Sequence, residues 1–259
     1  MIPYFEVHGR QDSSAPTVLM CSGLGGLAHY WEQQIPVFGR ERRVIVYDQS
    51  GAGRSPGSLP HDHDIDAMAA DAFAVIDAAE ATRVDVVGHA LGGLIGLAMA
   101  HARPQSIGKL VLVNAWAAFH PHTGRCFDTR LGLLLKGGWP YYVRAQPLFL
   151  YPAWWMARNP TLIADEEQRT LRSPPRIEDL LHRIKALRAF DATSWLDTIE
   201  APSLAVAAED DLLVPFDCST DLSRRLKRCD LTLFPKGGHA VNVTAPDDFN
   251  STVLRFLDA

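Results

Sequence analysis

The stretch Val84-Asp85-Val86-Val87-Gly88-His89-Ala90-Leu91-Gly92-Gly93-Leu94-Ile95 decides how this chain is read. Its first four residues are a valine-rich run with the composition of a buried strand. From Leu91 onward, Leu91, Leu94, Ile95, Ala98 and Met99 recur at helical spacing. With so little chain between strand and helix the backbone must turn sharply, and the residues two before and two after the apex must be small. Gly88 and Gly92 meet that need. A turn of this kind lifts the side chain at its apex above the end of the sheet. The apex here is Ala90, so it lifts a methyl group, and no seryl ester can form at that position.

On either side of this turn, β-branched runs alternate with helical patterns, the signature of a mostly parallel central sheet flanked by helices. Thr17–Cys21 reads as a strand entering the turn Gly23-Leu24-Gly25-Gly26, and Arg43–Asp48 as the next, closed by Gly51-Ala52-Gly53. Residues 65–80 carry an amphipathic pattern, and Lys109–Asn114 is a further central strand. The alternation then stops. It resumes at Ser203–Ala208 and again at Leu231–Phe234, and a last helix begins at Pro246, expected to bury Phe249, Val253, Phe256 and Leu257. The expected organisation is an α/β core made of residues 1–116 and 193–259, interrupted by a helical lid over 117–192.

Composition narrows the function classes. The 259 residues are 47% hydrophobic and 21% charged, ordinary for a globular chain, with a net charge of -5. That balance implies no basic face for nucleic acid, and Arg224-Arg225-Leu226-Lys227-Arg228 reads as the solvated face of one helix. No apolar stretch approaches the roughly 18 residues of a membrane span, so no membrane partner is expected. Without a visible signal peptide, and with Cys21, Cys126, Cys218 and Cys229 scattered, free thiols in the cytoplasm are expected. The two glycosylation-like triplets at Asn242 and Asn250 are read as chance. His61-Asp62-His63-Asp64 precedes a helix, where acids cap and complement the dipole, so neither a metal nor any other cofactor is expected.

The sharp turn at Ala90 matches the nucleophile elbow of α/β-hydrolases, in which the acid and then the histidine follow in chain order. Asp211, in Glu209-Asp210-Asp211-Leu212-Leu213-Val214-Pro215, and His239, in Gly237-Gly238-His239, stand in that order, each just past a strand. Asp210 is the alternative partner for the histidine; the Asp-x-x-Val-Pro spacing favours Asp211. The oxyanion hole of this fold uses backbone N–H groups, here those of Leu24 and Leu91, which survive any side-chain change. Asp48-Gln49-Ser50-Gly51-Ala52-Gly53-Arg54-Ser55 resembles the fold's D-x-R-G-x-G-x-S turn, with Ser50 where arginine is usual, and its role is read as structural. The pocket candidates are Asn114, Trp116 and Arg125, the arginine suiting a carboxylate. Trp139, Tyr141, Tyr142, Trp154 and Trp155 read mainly as lid core.

The elbow, the lid segment Ala145-Gln146-Pro147-Leu148-Phe149-Leu150-Tyr151-Pro152 and Asp210–Pro215 together resemble the RutD group of hydrolases. Gly237-Gly238-His239-Ala240, Asn242-Val243-Thr244, Arg125-Cys126-Phe127 and Asn114-Ala115-Trp116 extend the likeness along the whole chain. The resemblance implies an α/β-hydrolase fold, a native alanine at position 90, and a small labile substrate from uracil degradation. Carbamate and 3-aminoacrylate are the two candidates it implies. Losing a nucleophile leaves about 10³–10⁴ of rate enhancement from the oxyanion hole and binding, which suffices only for a substrate that already decomposes unaided. A binder that sequesters a reactive intermediate, and a cofactor-free lyase or oxygenase, are the competing classes. The expected partner is a small-molecule substrate; a homodimer is compatible with a sequence that is silent on oligomeric state.

Overall fold

The computed structural model describes residues 1–12, 14–55 and 57–259. Seven strands form one sheet: β1 (Phe5–Gly9), β2 (Thr17–Cys21), β3 (Arg43–Tyr47), β4 (Val84–His89), β5 (Ile107–Val113), β6 (Ser203–Ala208) and β7 (Cys229–Phe234). Their spatial order is β1-β3-β2-β4-β5-β6-β7, with β1 antiparallel to β3 and every other pairing parallel. The fold is therefore α/β with a mostly parallel central sheet.

Successive side chains of a strand point to opposite faces, and each face of this sheet has its own cover. Leu19, Ile45, Val86, Leu110 and Leu112 pack with helices α2 (Ile65–Ala78) and α3 (Leu91–Ala102), which follow α1 (Ile35–Phe38) along the chain. Val18, Met20, Val44, Val87, Val111 and Val113 pack instead with Phe38 of α1 and with Phe249, Val253 and Leu257 of the C-terminal helix (Pro246–Asp258). Phe256 is half-buried rather than buried: it flanks the inward stripe of Phe249, Val253 and Leu257, and the Lys109 ammonium from β5 lies 5.7 Å from its ring centroid.

Between β5 and β6 the chain runs through α4 (Pro121–Gly137), α5 (Trp139–Leu150), α6 (Ala153–Arg158), α7 (Pro160–Arg172) and α8 (Ile177–Ala189). The two ends of this insertion are tied together where they leave the core, by the Ala192 N–H donating to Ala117 O at 2.8 Å and a bridge between Ala118 and Asp191. It rests on the core through Phe127 and Leu134 of α4, Tyr142 and Val143 of α5, and Leu180, Ile184 and Leu187 of α8. Tyr141 points outward and is exposed. After β6 come α9 (Asp217–Arg225), β7, α10 (Val241–Thr244) and α11, the C-terminal helix already described.

One local reading of the sequence is corrected, and one strand escaped it. The basic run at 224–228 is not one helix face: α9 ends at Arg225, Leu226 turns inward, and the remaining charges lie on the connection to β7. The antiparallel edge strand β1 carries only five residues, mostly half-buried, too few for its alternation to stand out. Asp64 caps α2 by accepting the Ala67 N–H at 2.9 Å, and His63 lies 3.3 Å from Asp71, so both neighbours already have protein partners.

The packing that fixes the elbow is backbone against backbone. A Cβ on Gly92 would strike the Cys21 carbonyl and lie 2.8 Å from Ser22 O, whereas a Cβ on Gly25 would meet nothing within 4 Å. Gly92→Ala is expected to cost about 3 kcal/mol or more in urea unfolding, because rigid backbone cannot yield to it, and Gly25→Ala to cost well under 1 kcal/mol. Equal stabilities of the two variants would contradict this account of the elbow.

Candidate active site

The strand order reverses between β2 and β4, and in open α/β sheets that switch point opens a crevice beyond the carboxyl ends of the strands. Ala90 stands there with φ 49° and ψ -111°, a backbone conformation that costs of order 1–3 kcal/mol and persists because its surroundings impose it. The Ala90 N–H donates to Val113 O at 2.8 Å, locking the apex against β5. Leu91 opens α3, so its N–H is among those a helix leaves without an intrahelical acceptor. Leu24 lies on the facing turn, and both residues border the same cavity as Ala90.

His239 enters this cavity from the loop after β7. Its Nδ1 lies 2.8 Å from Asp211 Oδ2, and Asp211 Oδ1 accepts the N–H groups of Leu213 at 2.7 Å and Val214 at 3.0 Å. A carboxylate only accepts, so Nδ1 carries the proton and Nε2 keeps its lone pair for a ligand. Asp210 has a different task. Its Oδ1 accepts the Gly237 and Gly238 N–H groups, each at 2.7 Å, which shapes the loop that carries the histidine. Adjacent acids thus divide the work: one holds the backbone, the other the imidazole.

Two further residues fix the histidine from below. Asn114 is buried beneath the cavity rather than bordering it, with φ 50°, and its Nδ2 donates to the His239 carbonyl at 2.6 Å. His89 donates through Nε2 to the same carbonyl at 2.8 Å. Trp116 does border the cavity, and its Nε1 is buried without a partner among the described residues. Arg125 does not: it lies on the exposed side of α4, whose inward positions are Thr123, Cys126, Phe127, Arg130 and Leu134. The arginine of α4 that reaches the cavity is Arg130, a turn and a half further along, which the helical phase of α4 selects and the sequence motif did not; Arg169, Arg176 and Arg183 also border the cavity.

The turn after β3 braces the site. Asp48 accepts the Ala28 N–H at 2.8 Å and the Arg54 N–H at 2.9 Å. Gln49 donates to Ser22 O at 2.7 Å. Arg183 of α8 donates to Gln49 Oε1 and to Ser50 O, the latter at 2.6 Å. A guanidinium from the insertion thus stands at the turn where the related pattern carries arginine at position 50. The cavity above has a volume of about 600 Å³. No thiolate replaces the missing serine: the four cysteines are free, and burial pushes Cys21 up to about 12 and raises Cys126.

A parallel sheet with an elbow at the switch point, an acid after β6 and a histidine after β7 defines an α/β-hydrolase. In agreement, a family described as alpha/beta hydrolase fold matches residues 16–137. Among solved structures, the enol-lactonase from Burkholderia xenovorans LB400 superposes with a TM-score of 0.89 at 21% identity, over 99% of this chain and 96% of that one. A hydrolase from Pseudomonas aeruginosa PA01 gives 0.86 at 24% identity, over 98% and 94%. The particular family is narrower. Proteins named "Putative carbamate hydrolase RutD" are 46% identical in Rhizobium rhizogenes, over 99% of this chain and 98% of the relative, and 43% identical in Pseudomonas savastanoi, over 99% of each. The chain belongs to the RutD family.

The support of His239 by His89 has a measurable cost at low pH. Burial first, and then the His239 ring 4.7 Å away, push the His89 pKa well below the ordinary 6.5. The folded protein keeps His89 neutral while the unfolded chain takes up a proton below that pH, so the stability contributed by this group falls as pH drops through 6.5. The slope from one such group is at most about 1.4 kcal/mol per pH unit. His89→Gln retains an N–H donor for the His239 carbonyl and is expected to flatten this dependence. Urea unfolding at pH 7.5, 6.5 and 5.5 checks it; parallel losses in native and variant proteins would show that His89 is not the group responsible.

Proposed function

We propose that this protein hydrolyses a small, intrinsically labile C–N compound by water activated at His239, with no covalent intermediate. The observation that carries the reading is the 2.8 Å contact of His239 Nδ1 with Asp211 Oδ2 in a cavity whose elbow presents a methyl group. An oriented base without a nucleophile suits direct attack by water. The space that a serine oxygen fills in related enzymes is left, at Ala90, for that water. His239 Nε2 accepts its proton, and Asp211 holds the imidazolium that forms. The N–H groups of Leu24 and Leu91 are directed at the oxygen on which negative charge develops.

Carbamate and 3-aminoacrylate are the substrates this reading favours, and the name shared by the relatives supports the former. For carbamate His239 instead acts as the acid: it delivers a proton to the leaving nitrogen, and cleavage of the C–N bond gives carbon dioxide and ammonia with no water added. 3-Aminoacrylate is protonated at carbon to an imine, which adds water and releases ammonia with malonic semialdehyde. Both decompose unaided, so the roughly 10³–10⁴ of enhancement that a nucleophile-free site retains is sufficient.

A carbon NMR time course of each freshly generated compound, with buffer, native protein or the His239→Ala variant, tests the proposal. Native protein is expected to accelerate loss of one of them, and the variant to lower that acceleration by about 10²-fold or more near neutral pH. Decay at the buffer rate in every tube would refute hydrolysis of these compounds. Turnover unchanged in His239→Ala would remove the histidine from the mechanism.

The elbow itself supplies a separate test. Ala90→Ser places a hydroxyl at the apex beside His239, and with p-nitrophenyl acetate this variant is expected to form an acetyl-enzyme visible by intact mass spectrometry. The native protein is expected to form none. Absence of the adduct in a folded Ala90→Ser variant would show that His239 is not aligned with the apex.

A further inference from the structure

The carboxylate that orients His239 is itself oriented from α4. Asp211 Oδ1 accepts the N–H groups of Leu213 and Val214, and each of those groups belongs to a peptide whose carbonyl is also held. The peptide joining Leu212 to Leu213 presents its oxygen to His122, whose Nε2 donates to Leu212 O at 2.7 Å. The next peptide presents Leu213 O to Thr123, whose Oγ1 donates to it at 2.9 Å. Both donors stand in the first turn of α4. A peptide group is planar, so fixing its oxygen fixes the direction of its N–H. Two rigid levers therefore run from α4 to one carboxylate oxygen, and the other oxygen of that carboxylate meets His239 Nδ1.

The two levers differ in what can replace them. Leu212 and His122 are exposed, and the Cys126 thiol also lies 3.6 Å from Leu212 O, so water or sulfur can stand in for the imidazole. Leu213 and Thr123 are buried, and Thr123 is the one donor to Leu213 O among the described residues. A buried carbonyl that loses its donor must move to find another. The direction of the hydroxyl is informative too. Thr129 and Thr170 turn theirs back onto carbonyls of their own helices, Arg125 O at 2.9 Å and Glu166 O at 3.1 Å, the ordinary arrangement for helical threonine. Thr123 sends its hydroxyl to a loop 90 residues further along the chain. Sheet order makes this reach short, because α4 follows β5, Asp211 follows β6, and the two strands pair side by side. A hydroxyl that polarises Leu213 O also strengthens the Val214 N–H as a donor to Asp211, since hydrogen bonds in series reinforce one another.

We propose that Thr123 is a positioning residue for the acid: through the Leu213–Val214 peptide it holds Asp211 Oδ1 and so sets the aim of Oδ2 at His239. The inference rests on the reading of His239 as the acting group and adds a residue that works through two others. Without the Thr123 hydroxyl the peptide turns, Asp211 rotates with it, and the imidazole loses the partner that fixes its tautomer and direction. The same helix brings Phe127 and Arg130 to the cavity, so one rigid element sets the cavity wall and the acid together.

Proton NMR of the His239 Nδ1–H, which a carboxylate partner moves downfield, reads this contact with no substrate present; the signal is assigned by its loss in His239→Ala. Thr123→Val keeps the shape of threonine without the donor, and its resonance is expected to move upfield or to broaden through faster exchange with water. Thr123→Ser, which keeps the hydroxyl, is expected to restore the native signal. Thr129→Val, which removes a hydroxyl elsewhere on the same helix, is expected to leave it unchanged. A threonine of merely structural importance would lower the melting temperature of Thr123→Val and leave the resonance in place. Should Thr123→Val not fold, Thr123→Cys, with its weak thiol donor, takes its place and is expected to shift the resonance less. For whichever compound the native protein hydrolyses, kcat is expected to fall on the order of 10- to 100-fold in Thr123→Val, with KM nearly unchanged. A resonance absent from the native protein, unmoved in the folded Thr123 variant, or moved as far in Thr129→Val would each overturn the assignment, as would an unchanged kcat. The spectrum needs no turnover, so a protein that hydrolyses neither compound yet shows the shift separates failure of the hydrolysis reading from failure of this one.

Discussion

Everything at the site depends on a close approach of two backbones. The start of α3 lies against the Cys21–Ser22 peptide so tightly that no side-chain atom fits on Gly92, and Gly88 lies as tightly against Gly92. This contact joins the carboxyl end of β4 to that of β2, the strands on either side of the switch in sheet order. It forces Ala90 into its strained conformation and brings the first N–H of α3 opposite the turn that carries Leu24. The elbow therefore keeps its shape without a nucleophile, because its geometry comes from glycine packing and from the Ala90 N–H bond to Val113, not from the side chain at its apex.

Around that point the polar groups are arranged in pairs with divided roles. Asp210 and Asp211 are neighbours in sequence, yet one braces the glycines before His239 and the other its imidazole. His89 and Asn114 both donate to the His239 carbonyl, so the histidine is held at its ring from one side and at its backbone from the other. Such redundancy limits the freedom of a base that must position a water molecule rather than a tethered hydroxyl. Electrostatically, Arg42 has Asp85 and Arg183 a set of acceptors about it, whereas Arg130 donates to the neutral Tyr142 hydroxyl in a cavity that Glu166 and Asp179 also border. The helices between β5 and β6 thus bring both charged and apolar side chains to the same cavity.

The strand-turn-helix pattern and the alternation of β-branched runs with amphipathic segments made the parallel core legible, because these patterns are local and β4, β5 and β6 are buried on both faces. The order of elbow, acid and histidine was legible for the same reason, each being punctuated by its own strand and glycines. The edge strand β1 was not, since a five-residue edge strand buries too little to shape its composition. Nor was the helical phase of α4. Arg125 and Arg130 are equally basic, and only packing against the core decides that the second faces inward.

By itself the sequence determined the fold class, the absence of a side-chain nucleophile at the apex, and the presence of an acid and a histidine in the right order. Those follow from residue type and local spacing. The spacing already favoured Asp211 over Asp210; the tertiary structure showed its contact with the imidazole, and alone decided that Asn114 and His89 hold the His239 carbonyl and that Arg130 rather than Arg125 brings its charge to the cavity. Each of these is a contact between elements distant in the chain, set by the register of the sheet and the rotation of a helix on it. Composition carries no record of either.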